Sequence, residues 1–272
     1  MGKISEAFER YQKEKSVKTE PLRLGKPKRP RTKEPGSPLA HKPLMNGAMS
    51  EKLVLLSAPE STDAENFKIL KSEILFPKNG KAPKTIMVTS AFPGEGKTFV
   101  AANLAVSLAL GINEHVLLVD CDLRNPALNK MLGYSNTEGL HEYLTGKRRL
   151  SELIIRTRIK KLSLLVGGKP SSNPGELLSS KKMRDFLQVL KERYQDLFII
   201  LDATPTQVTA ETSVLANYVD GIVFVVMAGK SPREAIEKSI EKLGRKKILG
   251  IVFNGYRRSY KSYHKYYNKH YK

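Results

Sequence analysis

The sequence has one cysteine and no tryptophan, and none of its apolar runs reaches the ~20 residues of a membrane-spanning helix. A lone thiol excludes a disulfide framework and fits a reducing compartment. The longest apolar run, from Gly221 to Gly229, has the length of a buried strand. The opening segment, MGKISEAFER, lacks the apolar stretch of a secretory signal, and Glu6 stands where the myristoylation pattern needs Ser or Thr. Acidic residues are scarce as well. There are 27 Asp and Glu against 47 Lys and Arg, a formal net charge of +20 over 272 residues. Apolar residues make up 40%, enough for one large α/β domain with part of the chain outside its core. The expectation is a soluble, cytoplasmic protein that meets membranes only peripherally or through a partner.

The basic excess is uneven. Residues 1–50 carry 12 basic and 5 acidic side chains, and residues 256–272 carry 6 basic and no acidic ones. Such ends suit an anionic partner (nucleic acid, a membrane surface, an acidic protein) or stay as solvated arms. Ile4, Ala7, Phe8 and Tyr11 have the spacing of a short amphipathic helix, too short to be stable alone. Six prolines between Pro21 and Pro43, among many Lys and Arg, describe an extended linker. The expected organisation is a basic, Pro-rich tail over 1–50, one domain over 51–255 and a tyrosine-rich tail over 256–272.

Within that domain, helices and strands alternate. Helices are expected over Ser61–Leu75, Thr98–Leu110, Ser180–Tyr194, Val208–Asn217 and Pro232–Leu243, the last with a capping box of Ser231 and Glu234. Strands are expected over Thr85–Thr89, Val116–Val119, Leu162–Val166, Phe198–Leu201, Ile222–Met227 and Ile248–Phe253. These runs are continuously apolar, the pattern of strands covered on both faces. The fold class is therefore α/β, a mostly parallel sheet with helices on both sides.

The decisive segment is Ala91-Phe92-Pro93-Gly94-Glu95-Gly96-Lys97-Thr98, set between an expected strand and an expected helix. It has the pattern of a P-loop with Ala91 in the first glycine position. Gly94 and Gly96 let the backbone curl so that N–H groups form an anion nest at a helix N-terminus. Lys97 can reach the β- and γ-phosphates of ATP, and the Thr98 hydroxyl can ligate Mg²⁺. The nucleotide-binding candidates are thus Phe92, Pro93, Gly94, Glu95, Gly96, Lys97, Thr98 and Phe99. Asp120 and Asp122 follow one apolar strand and Asp202 ends another, at the carboxyl edge where open α/β sheets bind ligands. Asp202 has the place of a Walker B carboxylate. Asp120 and Asp122 share one side of their strand end, so one could ligate metal and the other accept a proton. The plainer alternative for the pair is a helix cap or a loop ion pair with Arg124. Cys121, between them, points away and reads as a small core residue.

Taken together, Ser90–Thr98, Ala101–Ala105, Leu117–Pro126, Gly133-Tyr134, Glu138–Leu140, Asn173–Leu178 and Val219–Gly221 resemble the bacterial tyrosine autokinases of exopolysaccharide and capsule synthesis. The opening MGKISEAFE is similar to their exosortase-associated subgroup. The resemblance implies ATP and Mg²⁺ as cofactors, with Lys97, Asp120 and Asp122 catalytic and Thr98, Asp120 and Asp202 around the metal. It also implies phosphorylation, neighbour on neighbour, of a C-terminal tyrosine cluster. Here that cluster is Tyr256, Tyr260, Tyr263, Tyr266, Tyr267 and Tyr271. A homo-oligomer and a membrane-embedded polysaccharide co-polymerase are the implied partners, which places the protein at the inner face of the membrane. Two departures stand out. Lys68 and Lys71 follow Glu65 where the family's oligomer motif has Arg, and Ala203-Thr204-Pro205 follows Asp202 where a Pro-Pro is usual. An aromatic-basic nucleic-acid tail is the competing reading of the C-terminus. A Min- or Par-type positioning ATPase is the competing reading of the domain, but its signature Lys early in the P-loop is replaced by Phe92. A third reading is a nucleotide-gated scaffold without phosphoryl transfer.

Overall fold

The computed structural model describes residues 47–256, except 79, 136 and 195. The expected N-terminal amphipathic helix, the Pro-rich linker and the tail tyrosines other than Tyr256 lie outside the described residues.

The core is a seven-stranded sheet: β1 (Thr85–Ser90), β2 (His115–Asp120), β3 (Ile155–Arg156), β4 (Leu162–Leu165), β5 (Leu197–Asp202), β6 (Gly221–Met227) and β7 (Ile248–Asn254). Their order is β3-β4-β2-β5-β1-β6-β7, parallel throughout except for β3 against β4. Two layers of helices cover it. On one face lie α1 (Val54–Ser57), α2 (Thr62–Leu75), α3 (Lys97–Ala109) and α4 (Leu128–Met131). On the other lie α5 (Leu140–Leu144), α6 (Leu150–Leu153), α7 (Pro174–Ser179), α8 (Lys181–Arg193), α9 (Glu211–Ala216) and α10 (Arg233–Leu243).

The apolar runs produce this sandwich because side chains alternate across a strand. Ile86 and Val88 enter the core under α3, whereas Met87 enters the core under α8. α3 is apolar almost all round, and ten of its residues, Val100 to Ala109, are buried. α8 is amphipathic. Its Met183, Phe186, Leu187 and Leu190 are buried, and Ser180 starts the helix by accepting a hydrogen bond from the Met183 N–H. Burial of each such side chain contributes about 1.5–3 kcal/mol. The start of β1 is pinned by Asp220, whose Oδ2 accepts the N–H groups of Lys84 and Thr85.

Three expectations are corrected. β7 is an edge strand, and its Leu249, Ile251 and Phe253 are 44%, 49% and 64% exposed. Its apolar composition matches that of a buried strand, but the face that carries these three side chains is left open to solvent. The helix expected from Val208 begins at Glu211, because the chain after Pro205 first turns back with Val208 and Thr209 N–H groups on the Pro205 carbonyl. Ser231 does not cap α10; Pro232 occupies the N-cap without a side-chain bond, and the Ser231 hydroxyl donates to Glu95 instead.

Phe186 is fully buried, with its ring centroid 5.6 Å from that of Tyr143. Phe186→Ala is expected to destabilise the fold by about 3–5 kcal/mol. Denaturant unfolding of the two proteins checks this; a loss below about 1 kcal/mol would show that α8 does not rest on this residue.

Candidate active site

The site is built at the carboxyl edge of β1, β2 and β5. Parallel register sets Asp120 beside Asp202 and Asp202 beside Val88, so both carboxylates flank the turn leaving β1. That turn runs through Gly94 and Gly96, at φ +79° and +93°, into α3. Only glycine adopts such angles without strain, which is why the loop can curl tightly before the helix. The backbone of 91–98 therefore presents N–H groups around the N-terminus of α3.

The Lys97 ammonium lies 3.2 Å from Asp122 Oδ2. Asp120 is fully buried. Its Oδ1 accepts the Asp122 N–H at 3.1 Å, and its Oδ2 accepts the N–H groups of Ala127 at 2.9 Å and Leu128 at 3.0 Å. The helix-cap alternative thus holds for Asp120, which organises the start of α4. The ion-pair alternative does not hold, since Arg124 pairs with Glu211 at 2.7 Å. Asp122 Oδ1 accepts the Asn125 N–H. Asp202 accepts the Thr98 hydroxyl, and its Oδ1 is buried with no hydrogen-bond partner among the described residues. Burial raises the Asp202 pKa to about 7; Lys97 opposes the rise and Asp120 adds to it. Burial also raises that of Asp120 to about 6, against the pull of the Leu128 and Ala127 N–H groups. Cys121 is fully buried, and burial raises its thiol well above the usual range, so it is core as expected.

The structure thus brings Lys97, Thr98, Asp120, Asp122 and Asp202 to one edge. It does not bring every loop side chain there. Phe99 meets Phe67 edge-on at 5.6 Å in the core under α2, and Phe92 packs against the opposite core. The Glu95 carboxylate is buried beneath the loop, accepting the Phe92 N–H at 2.7 Å and the Ser231 hydroxyl. Phe99 and Glu95 can offer a ligand only their backbone, and the Phe92 N–H is already given to Glu95. Among the described residues no cluster of three or more His, Cys, Asp or Glu could hold a metal. An orphaned carboxylate oxygen next to a hydroxyl does fit Mg²⁺, which takes one or two protein ligands and completes its shell with water and phosphate.

Residues 86–272 match the family of the CobQ/CobB/MinD/ParA nucleotide binding domain. Tyrosine-protein kinase YwqD of Bacillus subtilis is 34% identical over 221 residues, 80% of this chain and 92% of its own. Tyrosine-protein kinase CpsD of Streptococcus agalactiae is 31% identical over 202 residues, covering 73% and 85% of the two chains. The chain belongs to the bacterial tyrosine-protein kinases. The kinase domain of the Escherichia coli tyrosine kinase ETK superposes with a TM-score of 0.71 at 26% identity, covering 80% of this chain and 86% of that one. The MinD septum-site protein of Pyrococcus horikoshii, solved with Mg-ADP, reaches 0.54 at 25% identity, covering 65% and 72%. The kinase reading is therefore favoured over the Min-like one. No helix of the described residues is long and apolar enough to cross a membrane.

Local patterns missed the hydroxyl cluster that fixes the loop after β5. Thr204 Oγ1 lies 2.6 Å from that of Thr209 and 2.9 Å from that of Thr212, and the Thr206 hydroxyl donates to Ser239 at 2.7 Å. The density of threonine over 204–212 was the available signal. In the family's oligomer motif, Glu65 and Lys68 pair with each other at 3.0 Å on exposed α2.

The raised carboxyl groups set a pH dependence. A carboxyl whose folded pKa exceeds its unfolded value favours the fold at low pH, and that contribution is lost as pH rises towards the folded value. Nucleotide-free protein should therefore lose stability from Asp120 and Asp202 between about pH 4 and 7, by on the order of a few kcal/mol. The Asp202→Asn variant should gain in Tm relative to wild type as pH goes from 5 to 8. A difference in Tm that stays constant with pH would refute the buried charge.

Proposed function

We propose that this protein is an ATP- and Mg²⁺-dependent protein-tyrosine autokinase that regulates exopolysaccharide or capsule synthesis or export. Its substrates are the tyrosines of its own C-terminal tail, Tyr256, Tyr260, Tyr263, Tyr266, Tyr267 and Tyr271, modified in trans within a homo-oligomer. The observation that carries this reading is the convergence of Lys97, Thr98 and three aspartates on the P-loop.

In the proposed chemistry, backbone N–H groups of 94–99 hold the phosphates, and Lys97 leaves Asp122 to neutralise the β- and γ-oxygens. Freed of that pair, Asp122 is placed to accept the proton of the incoming tyrosine hydroxyl. Thr98 and Asp202 would hold Mg²⁺. Asp120, with both oxygens taken by backbone N–H groups, would act on it through water. The ion supplies charge neutralisation on the transferred phosphoryl group. Tyr256 lies two residues past the end of β7 and is 67% exposed, a position that leaves it open to a neighbouring copy.

The proposed division is a basic tail over 1–50, the kinase domain over 51–255 and the substrate tail over 256–272. A membrane co-polymerase is the proposed activator and would hold the protein at the inner face of the membrane. The relatives also include longer proteins such as the putative tyrosine-protein kinase EpsB of Ralstonia solanacearum, of which the matched region is 27%. The basic ends would add attraction to anionic lipid of about 1 kcal/mol per Lys or Arg near the surface. Nucleic acid is not a proposed partner.

Lys97→Met is expected to lower the rate of phosphotyrosine formation from ATP by about 10²-fold or more. Asp122→Asn should stay folded by circular dichroism and lose most transfer. Undiminished labelling in the Lys97→Met protein would refute this site.

A further inference from the structure

Asn254, the last residue of β7, reaches under the phosphate loop, where the chemistry above gives it no role. Its Nδ2 donates to the Glu95 carbonyl at 2.8 Å. A Cβ on Gly96 would come 2.0 Å from that nitrogen, so the Asn254 amide fills the space a side chain at 96 would take. The far end of the amide is held too, because Oδ1 accepts the Gly255 N–H at 3.0 Å. The strand beneath is fixed by the Met227–Asn254 register and by the Ala228 N–H on the Asn254 carbonyl at 2.8 Å. Glu95 adds a second tie to the same ground, through the Met227 N–H and the Ser231 hydroxyl.

We propose that Asn254 is a positioning residue for the phosphate loop and that it joins the loop to the root of the tyrosine tail. In a planar trans peptide, C=O and N–H point in opposite directions. Holding the Glu95 carbonyl on Asn254 therefore aims the Gly96 N–H away from β7, towards an incoming phosphate. The next residues, Gly255 and Tyr256, begin the tail, so a pull on the tail bears first on the residue that sets the loop. This inference rests on reading 91–98 as a nucleotide loop.

The experiment compares wild type and Asn254→Ala in two assays. Titration calorimetry measures the Kd of MgATP and of magnesium tripolyphosphate, which has no base. Hydrogen exchange follows the amides of 94–98 in nucleotide-free protein. Loss of one hydrogen bond should weaken both ligands by the same factor, about five-fold. Exchange over 94–98 should quicken while β1 and β5 stay unchanged. A loss confined to ATP would assign the side chain to the base and overturn the proposal, as would unchanged exchange. Should the wild type bind neither ligand, the nucleotide reading fails, and exchange alone decides the role of Asn254. If Asn254→Ala does not fold, Asn254→Leu, of similar size and without a donor, takes its place.

Discussion

Among the described residues, the ion pair of Lys97 with Asp122 is the one close cationic contact in a cluster of buried carboxylates, at 3.2 Å. Asp120, Asp122 and Asp202 are 0%, 9% and 1% exposed. Removing such charges from water is costly unless hydrogen bonds or opposite charge offset it. Asp120 is satisfied by backbone N–H groups, Asp122 by Lys97 and the Asn125 N–H, and Asp202 only in part, by Thr98. The edge is thus short of positive charge before any ligand arrives. A Mg²⁺ ion would bring that charge, and the phosphates of a nucleotide would give Lys97 a stronger anion than Asp122.

The remainder of the molecule holds this cluster together. Parallel register aligns Asp120 with Asp202, and β2 and β5 are buried on both faces, so neither strand end can drift. The phosphate loop is tied from beneath to β6, β7 and the approach to α10 through Glu95. On the far side, Arg124 and the buried Glu211 link the loop after β2 to α9. The site is therefore supported by contacts distant in sequence, while the residues that face a ligand are nearly all local to three strand ends.

That division explains what the sequence made legible. The strands were readable because buried parallel strands are continuously apolar, and the loop because Gly94, Gly96, Lys97 and Thr98 each answer a separate demand of phosphate binding. The strand-end aspartates followed from topology. The tie between Glu95 and Ser231 was not readable, since 136 positions separate them and Ser231-Pro-Arg-Glu234 matches a helix cap on its own terms. β7 is a strand as expected but an exposed one, because an apolar run does not tell whether another layer will cover its face. The antiparallel β3, two residues long, carries no periodicity to read.

In the proposed reaction, phosphate moves from ATP to the tyrosine tail. Mass spectrometry of purified protein incubated with Mg²⁺-ATP tests it most directly. Phosphate on tyrosines within 256–271, and absent when Mg²⁺ is chelated, is the expected result. ATP hydrolysed with no phosphotyrosine anywhere in the chain would contradict it.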